Sequence, residues 1–322
     1  MALKQLTAVA ALNEAAGKVI EASVCEAQGT YLALVETEAG KRLAWAAQGE
    51  SALSKLWKDV EKEADVKDVH VAVMALNANN AALVRRLVKW AAPTACGTKG
   101  ASVGFSDWLG AADAVVTDLF AKRQLKPVLV DFTPEDSAAI GRNFLEAVDT
   151  ATWGVLEKGY KEGYGANAAG LKSEEEIVKA LLYGYSMIGF DCSDKINLSI
   201  EKLSDEAVEK RFEQFNETFR AALYASYLNA EFKVGTSKIT FTENQLQRIV
   251  LEYGEAIMHV QFIYNSYLKN TPWDIDFELD LSKPGKVLTP QEHYLIGNEL
   301  QRNGIKLAAI CLDPLKDAEA VN

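Results

Sequence analysis

The run Val128-Leu129-Val130-Asp131 ends on an aspartate, and three later apolar runs of the chain do the same. The later runs are Ile188-Gly189-Phe190-Asp191, Phe277-Glu278-Leu279-Asp280 and Ile310-Cys311-Leu312-Asp313. A short, nearly continuous apolar run is typical of a strand buried on both faces, as in a parallel sheet. Helix-patterned segments separate the four runs. We therefore predict an α/β fold in which parallel strands form an open doubly wound sheet or a partial or complete β/α (TIM-like) barrel.

The terminal aspartates have two interpretations. In α/β proteins the carboxyl ends of parallel strands carry the active site, which makes each aspartate a candidate functional residue. Aspartate is also common after a strand because it caps the next helix or begins a turn. Both interpretations stay open at this stage.

The composition limits the class of protein. The chain has 322 residues, 49% hydrophobic content and a formal net charge of −11. Such a chain can bury a full core, and its acidic surface disfavours binding to nucleic acid or to a membrane surface. An acidic substrate would need a local basic group.

The cysteines and the N-terminus indicate a cytoplasmic protein. Cys25, Cys96, Cys192 and Cys311 lie in or beside apolar runs, and none are paired at the spacing of a metal or redox motif. We therefore expect buried thiols in a reducing compartment. No signal peptide and no apolar run of membrane-spanning length is present.

The organisation along the chain predicts two regions. Residues 18–47 have the pattern of an antiparallel β meander within an N-terminal α/β region, residues 1–94. Helices are predicted at about 51–63 and 137–161, and Gly159 and Gly163 are predicted to share one helix face. Residues 95–322 alternate strand and helix, with about five or six barrel-type strands. A closed β/α barrel needs eight strands, so the barrel is expected to lack its last strands.

The third run also carries candidate metal ligands. Glu278 and Asp280 alternate with Leu279, so both carboxylates point to one face of the strand. His293 lies in the first turn of the helix that follows. Carboxylate and imidazole groups bind Zn²⁺, Mn²⁺ or similar ions. If the carboxylates instead face the surrounding helices, they are caps and salt-bridge partners.

Several segments resemble the tagaturonate/fructuronate epimerase family. They include Ala151-Thr152-Trp153-Gly154-Val155, Glu162-Gly163-Tyr164-Gly165-Ala166 and Asp191-Cys192-Ser193-Asp194. Gly104-Phe105-Ser106-Asp107-Trp108-Leu109-Gly110 is similar to the family's Gly-x-x-Asp-Arg-Leu-Gly. Phe277-Glu278, followed by Pro290 and His293, is similar to its strand–loop–helix. The resemblance extends from about residue 95 to 312.

This resemblance implies a metal-dependent isomerase that epimerises a small ketohexuronate on a β/α barrel. The matching polar positions imply Asp107 and Asp191 as catalytic acid–base residues. They imply Glu278 and His293 as ligands of a divalent cation, Zn²⁺, Mn²⁺ or similar.

The chain also departs from the family pattern. It has Gly165-Ala166-Asn167-Ala168-Ala169-Gly170 where the family has Gly-Ala-Asp-Ala-Asp-His. Two interpretations therefore remain: a hexuronate epimerase, or a truncated, catalytically inactive homologue that serves as an interaction or small-molecule-binding module. An unfinished barrel would expose a sheet edge near Asp313, which predicts a homo-oligomer.

Overall fold

A computed structural model gives the fold, and it describes residues 3–49, 51–105, 107, 109–110, 113–120, 125–281 and 287–311. The chain forms two compact units. Unit 1 comprises Met1–Leu171, Glu175–Ile188 and Asp274–Asp276, and unit 2 comprises Lys172–Glu174, Gly189–Trp273 and Phe277–Asn322. The predicted division into residues 1–94 and 95–322 stays a prediction.

Helices and strands alternate along most of the described chain. The helices are α1 (Gln5–Ala15), α2 (Ala78–Leu87), α3 (Asp113–Phe120), α4 (Pro134–Ile140), α5 (Ala147–Lys158), α6 (Glu174–Tyr183), α7 (Asp205–Phe212), α8 (Glu217–Tyr227), α9 (Glu243–Ile263) and α10 (Pro290–Arg302). The strands are β1 (Lys18–Val19), β2 (Cys25–Ala27), β3 (Thr30–Thr37), β4 (Gly40–Gln48), β5 (Val60–Val66), β6 (Val69–Met74), β7 (Ala101–Gly104), β8 (Leu125–Phe132), β9 (Gly165–Leu171), β10 (Met187–Asp191), β11 (Phe232–Val234), β12 (Ser237–Ile239), β13 (Asp276–Asp280) and β14 (Ala309–Cys311).

The predicted meander is an antiparallel sheet. Its strand order is β1-β3-β4-β6-β5, and β2 pairs with β3. Alternate residues of β4 enter two cores: Leu43 and Trp45 pack with residues of α2, whereas Ala44 and Ala46 pack with residues of α1. Both faces of this sheet are therefore buried, because each is covered by a helix.

The predicted helix over residues 51–63 is wrong. Only a short 3₁₀ turn, Ser54–Leu56, forms there, and Asp59 has a left-handed backbone with φ 51°. The chain then enters β5, the terminal strand of the antiparallel sheet. Charged residues give β5 a largely exposed surface, as suits an edge strand.

The predicted parallel strands are confirmed within a mixed α/β fold. The second large sheet has the order β14-β13-β10-β9-β8-β7. The pairs β7·β8, β8·β9 and β13·β14 are parallel. Asp131, Asp191 and Asp280 lie at or next to the carboxyl ends of their strands, while Asp313 lies outside the described residues.

The glycine-rich segment differs from its prediction. The helix predicted over 137–161 is two helices, because Gly141 and Gly159 adopt left-handed conformations that end α4 and α5. A Cβ on Gly159 would lie 2.4 Å from the carbonyl oxygen of Ala22. Gly163 follows with φ 85°, so Gly159 and Gly163 do not share a helix face. β9 begins at Gly165, and the sequence pattern did not predict this strand.

The four cysteines are all free thiols. Cys25 and Cys192 are buried as predicted, whereas Cys96 and Cys311 are half-buried. Within the described residues, no helix is long and apolar enough to cross a membrane.

Candidate active site

An aspartate near the carboxyl end of β8 is hydrogen-bonded to the neighbouring strand. Asp131 pairs in register with Asn167 of β9, and Asn167 Nδ2 donates to Asp131 Oδ1 at 3.0 Å. Gly104, at the end of β7, lies on the other side of this carboxylate. A Cβ on Gly104 would lie 2.0 Å from Asp131 Oδ2, so only glycine leaves room for the carboxylate in this position.

The surroundings of Asp131 shift its protonation equilibrium toward the neutral form, relative to an aspartate in water. Burial raises the pKa of the Asp131 carboxyl, and the hydrogen bond from Asn167 opposes that rise. Asn167 is only 4% exposed, and its Oδ1 accepts no hydrogen bond from the described residues. A half-buried carboxyl with a raised pKa beside a buried amide is the kind of group that active sites use for proton transfer.

Asp107, the first predicted catalytic residue, has a turn-forming role. Its Oδ1 accepts the backbone N–H of Leu109 at 3.2 Å. Its carbonyl oxygen accepts from the backbone N–H of Gly110 at 3.1 Å and from Arg142 Nη1 at 2.9 Å. Arg142 also donates to Thr150 Oγ1, so the guanidinium holds the loop in place. The acid–base role of Asp107 stays a prediction.

In unit 2, an aromatic contact shows which face of β13 carries Glu278 and Asp280. Phe277 packs on Tyr264, which continues α9, with ring centroids 5.7 Å apart. Since side chains alternate along a strand, Glu278 and Asp280 point away from this helix. The sequence allowed two orientations for Glu278 and Asp280. The Phe277 contact excludes the one in which their carboxylates face α9.

Asp191, the second predicted catalytic residue, lies beside a lysine. Its Oδ1 accepts the backbone N–H of Ser193 at 2.7 Å, and Lys172 Nζ lies 3.5 Å from its Oδ2. The backbone N–H of Cys192 donates to the carbonyl oxygen of Asp280 at 3.0 Å, which aligns the ends of β10 and β13. The Asp191 side chain is 15% exposed and that of Lys172 is 47% exposed, so the cation is accessible to an anionic ligand.

The predicted metal ligands provide two donors. Glu278 is half-buried on β13, and His293 is half-buried in the first turn of α10. Among the described residues, no three His, Cys, Asp or Glu side chains are grouped so that they would hold a metal ion. A catalytic zinc site needs three protein ligands, so these residues do not by themselves fit a complete metal site. The assignment of Glu278 and His293 to a metal stays a prediction.

The sequence model of the UxaE family, described as tagaturonate epimerase, matches residues 20–313. The chain belongs to this family. The predicted resemblance is thereby confirmed over all the strands that carry the candidate carboxylates. The match begins within the antiparallel sheet, so both sheets belong to the family fold.

Individual members of the tagaturonate epimerase family extend this finding. The chain is 29% identical over 295 residues to the tagaturonate/fructuronate epimerase of Thermotoga maritima, which covers 92% of this chain and 60% of that protein. The crystal structure of fructuronate-tagaturonate epimerase UxaE from Cohnella laeviribosi with one glycerol superposes with a TM-score of 0.80 at 28% identity, covering 91% of this chain and 58% of that one. The native crystal structure of the same protein gives a TM-score of 0.79 at 28% identity, with coverage of 95% and 61%. The chain thus spans about three-fifths of the length of these relatives.

Sequence reasoning missed Asn167 and Lys172, and it gave Asp131 no more weight than the other strand-terminal aspartates. Asp131 was seen as a strand end without a counterpart in the family pattern, and Asn167 only as a lost acid. The strand register that joins them depends on β9, which was not predicted. Lys172 directly follows β9, and no local pattern in the sequence links it to Asp191.

Proposed function

We propose that this chain is an epimerase of ketohexuronates of the tagaturonate and fructuronate type. The family match over residues 20–313 carries the proposal, since it includes every strand that bears a candidate carboxylate. We place the parallel strands in a β/α barrel and the protein in the cytoplasm as parts of the same proposal. The partner is a small sugar acid.

The two ketohexuronates differ at the hydroxyl-bearing carbon that is β to the ketone. The hydrogen on that carbon is not acidified by the ketone, so direct deprotonation is a poor route. Retro-aldol cleavage inverts the centre without an oxidant. A base takes the hydroxyl proton, the carbon–carbon bond to the α-carbon breaks, and its electron pair forms an enolate. The bond then re-forms on the other face of the aldehyde, and the proton returns to oxygen.

The Asp191–Lys172 pair supplies the charge that this chemistry needs. A uronate is an anion and the chain carries a net charge of −11, so binding requires a local cation. The Lys172 side chain is partly exposed, and its Nζ lies 3.5 Å from Asp191 Oδ2. We assign Lys172 to the anionic groups of the sugar acid. Asp191 remains an acid–base candidate beside it, as does Asp107.

The family resemblance also implies a divalent cation that would stabilise the enolate oxygen. Glu278 would be one ligand, because it points away from α9, and His293 would be a second. Among the described residues, these two side chains are not joined by a third ligand.

The test is conversion of tagaturonate to fructuronate, followed by ¹³C NMR, with Zn²⁺, with Mn²⁺ and with a chelator. We expect interconversion by the wild type, and Lys172→Met should raise KM at least about tenfold because a charge-assisted contact is lost. Asp205→Asn is the matched surface control, since Asp205 is exposed and pairs with Arg248. No conversion under any of the three conditions refutes the proposal.

A second candidate function is a binding module of the same family that does not turn over substrate. The observation that favours it is the segment containing Asn167 and Gly170, which replaces an acid and a histidine of the family pattern. This candidate predicts ketohexuronate binding by calorimetry without conversion.

We also propose that the chain self-associates through an open sheet edge. Among the strands of the described residues, β14 and β7 lie at the two ends of the second large sheet, and all four residues of β7 are exposed. Unpaired backbone groups at such an edge favour pairing with another chain. Light scattering that finds a monomer at concentrations up to about 100 μM, a range above ordinary dimer dissociation constants, contradicts this proposal.

A further inference from the structure

Asp131 differs from the other candidate acids in the type of hydrogen bond that its carboxylate accepts. The carboxylates of Asp107 and Asp191 accept backbone N–H groups two residues further on, at Leu109 and Ser193, as aspartates do when they stabilise turns. The Asp131 carboxylate instead accepts a side-chain amide across two paired strands. A hydrogen bond to a buried side chain of the paired strand positions the Asp131 carboxylate more rigidly than a local turn contact would.

Two further features define the position of this carboxylate. Asn167 is nearly fully buried, so its amide has little freedom to turn away from Asp131. Gly104 removes the side chain that would otherwise occupy the place of Asp131 Oδ2. Asn167 also keeps a buried Oδ1 that accepts no hydrogen bond from the described residues, and buried unsatisfied groups of native proteins often belong to functional sites.

We propose that Asp131 is a proton-transfer residue of the ketohexuronate reaction and that Asn167 is its positioning residue. This inference rests on the function proposed above. Asp131 takes the proton from the hydroxyl on the carbon to be inverted, while the bond from that carbon to the α-carbon breaks and the enolate forms. After the aldehyde presents its other face and the bond re-forms, the protonated Asp131 returns the proton to the same oxygen. Protons and electrons balance without a further reactant.

The acidity of Asp131 agrees with this role. Burial raises the pKa of its carboxyl above the usual value for an aspartate, which makes its carboxylate a stronger base, and the hydrogen bond from Asn167 limits the rise. Loss of the Asn167 amide should therefore raise the pKa of Asp131 further. The enzyme would then need a higher pH to ionise its base.

The first experiment compares Asp131→Asn with a matched control. Asp131→Asn should reduce kcat at least about 100-fold, the usual contribution of a general base, while the dissociation constant for the ketohexuronate changes less than about threefold. Asp118→Asn is the control, because Asp118 is exposed on α3 and pairs with Lys158 at 2.6 Å. Retention of more than a tenth of the wild-type kcat by Asp131→Asn overturns the proposal.

The second experiment tests the positioning role of Asn167. Asn167→Ala should lower kcat with little change in KM and should move the acidic limb of the pH–rate profile to higher pH. A merely structural residue would lower the amount of folded enzyme without moving that limb. An unshifted profile in a folded Asn167→Ala variant overturns the assignment.

The outcomes separate this inference from the proposed function. Conversion that survives Asp131→Asn overturns the inference and keeps the function. If the wild type binds the ketohexuronate without converting it, the function fails, and the pH dependence of binding decides on Asp131. That dependence should then disappear in Asp131→Asn, and its persistence overturns the inference. Absence of both binding and conversion overturns both.

Discussion

The Asp276 carboxylate should contribute strongly to the stability of unit 1. It is 8% exposed, and it accepts the backbone N–H of Cys96 at 2.5 Å and that of Gly97 at 3.0 and 3.1 Å to its two oxygens. A hydrogen bond to a charged group contributes about 1.5–3 kcal/mol, so Asp276→Ala should lower the free energy of unfolding by about 3–5 kcal/mol. Asp276→Asn should cost about 2 kcal/mol, because the amide keeps one acceptor oxygen.

Amide hydrogen exchange measures this locally, which matters because a chain of two units need not unfold in one step. The amides of Cys96 and Gly97 should exchange at least about 100-fold faster in Asp276→Ala, the equivalent of about 3 kcal/mol. Asp274→Asn is the matched control, since Asp274 is exposed two residues earlier. The reasoning is refuted if Asp276→Ala changes exchange at these two amides no more than the control does.

Three further predictions concern Gly104, Asp131 and Cys25. Gly104→Ala should abolish most conversion, since its Cβ would displace the Asp131 carboxylate, whereas Gly254→Ala, with no atom within 4 Å of the added methyl, should stay active in the same NMR assay. Asp131→Asn should stabilise the fold at neutral pH. Because the pKa of Asp131 is raised in the folded state, its contribution to stability is complete below the unfolded pKa of 3.8 and is lost as the pH rises through the folded pKa. Thermal melts should show this loss in the wild type and not in the variant. Burial raises the pKa of Cys25 to about 12. Mass spectrometry should therefore find Cys25 unlabelled by iodoacetamide at pH 8 in the folded protein and labelled once urea is added. Equal labelling with and without urea would contradict its burial.

The strands were predictable where apolar runs were long enough to show them. β8, β10 and β13 each contain a run that ends on an aspartate, and the structure confirms all three. β9 was not predictable in the same way, because Gly165–Leu171 consists mostly of glycine and alanine and lacks the β-branched residues that indicate strands. Its strand conformation is determined by pairing with β8, a contact distant in sequence.

The sequence predicted only part of the orientation of Glu278 and Asp280. Alternation places Glu278 and Asp280 on one face of β13, but it does not say which face meets a helix. The contact between Phe277 and Tyr264 supplies that information, and it depends on packing rather than on pattern. The pairing of Asp131 with Asn167 was likewise hidden, since a register is set between strands and not within one.

The amide at position 167 changes the meaning of this departure from the family pattern. A carboxylate there would lie about 3 Å from Asp131, and two carboxylates at that distance must share a proton or bind a cation. Asn167 instead donates to Asp131, so the two side chains carry one negative charge at most. The replacement therefore removes a potential metal ligand without removing the proton acceptor. Replacement of a carboxylate by an amide at this position and loss of acid–base chemistry are therefore separate events.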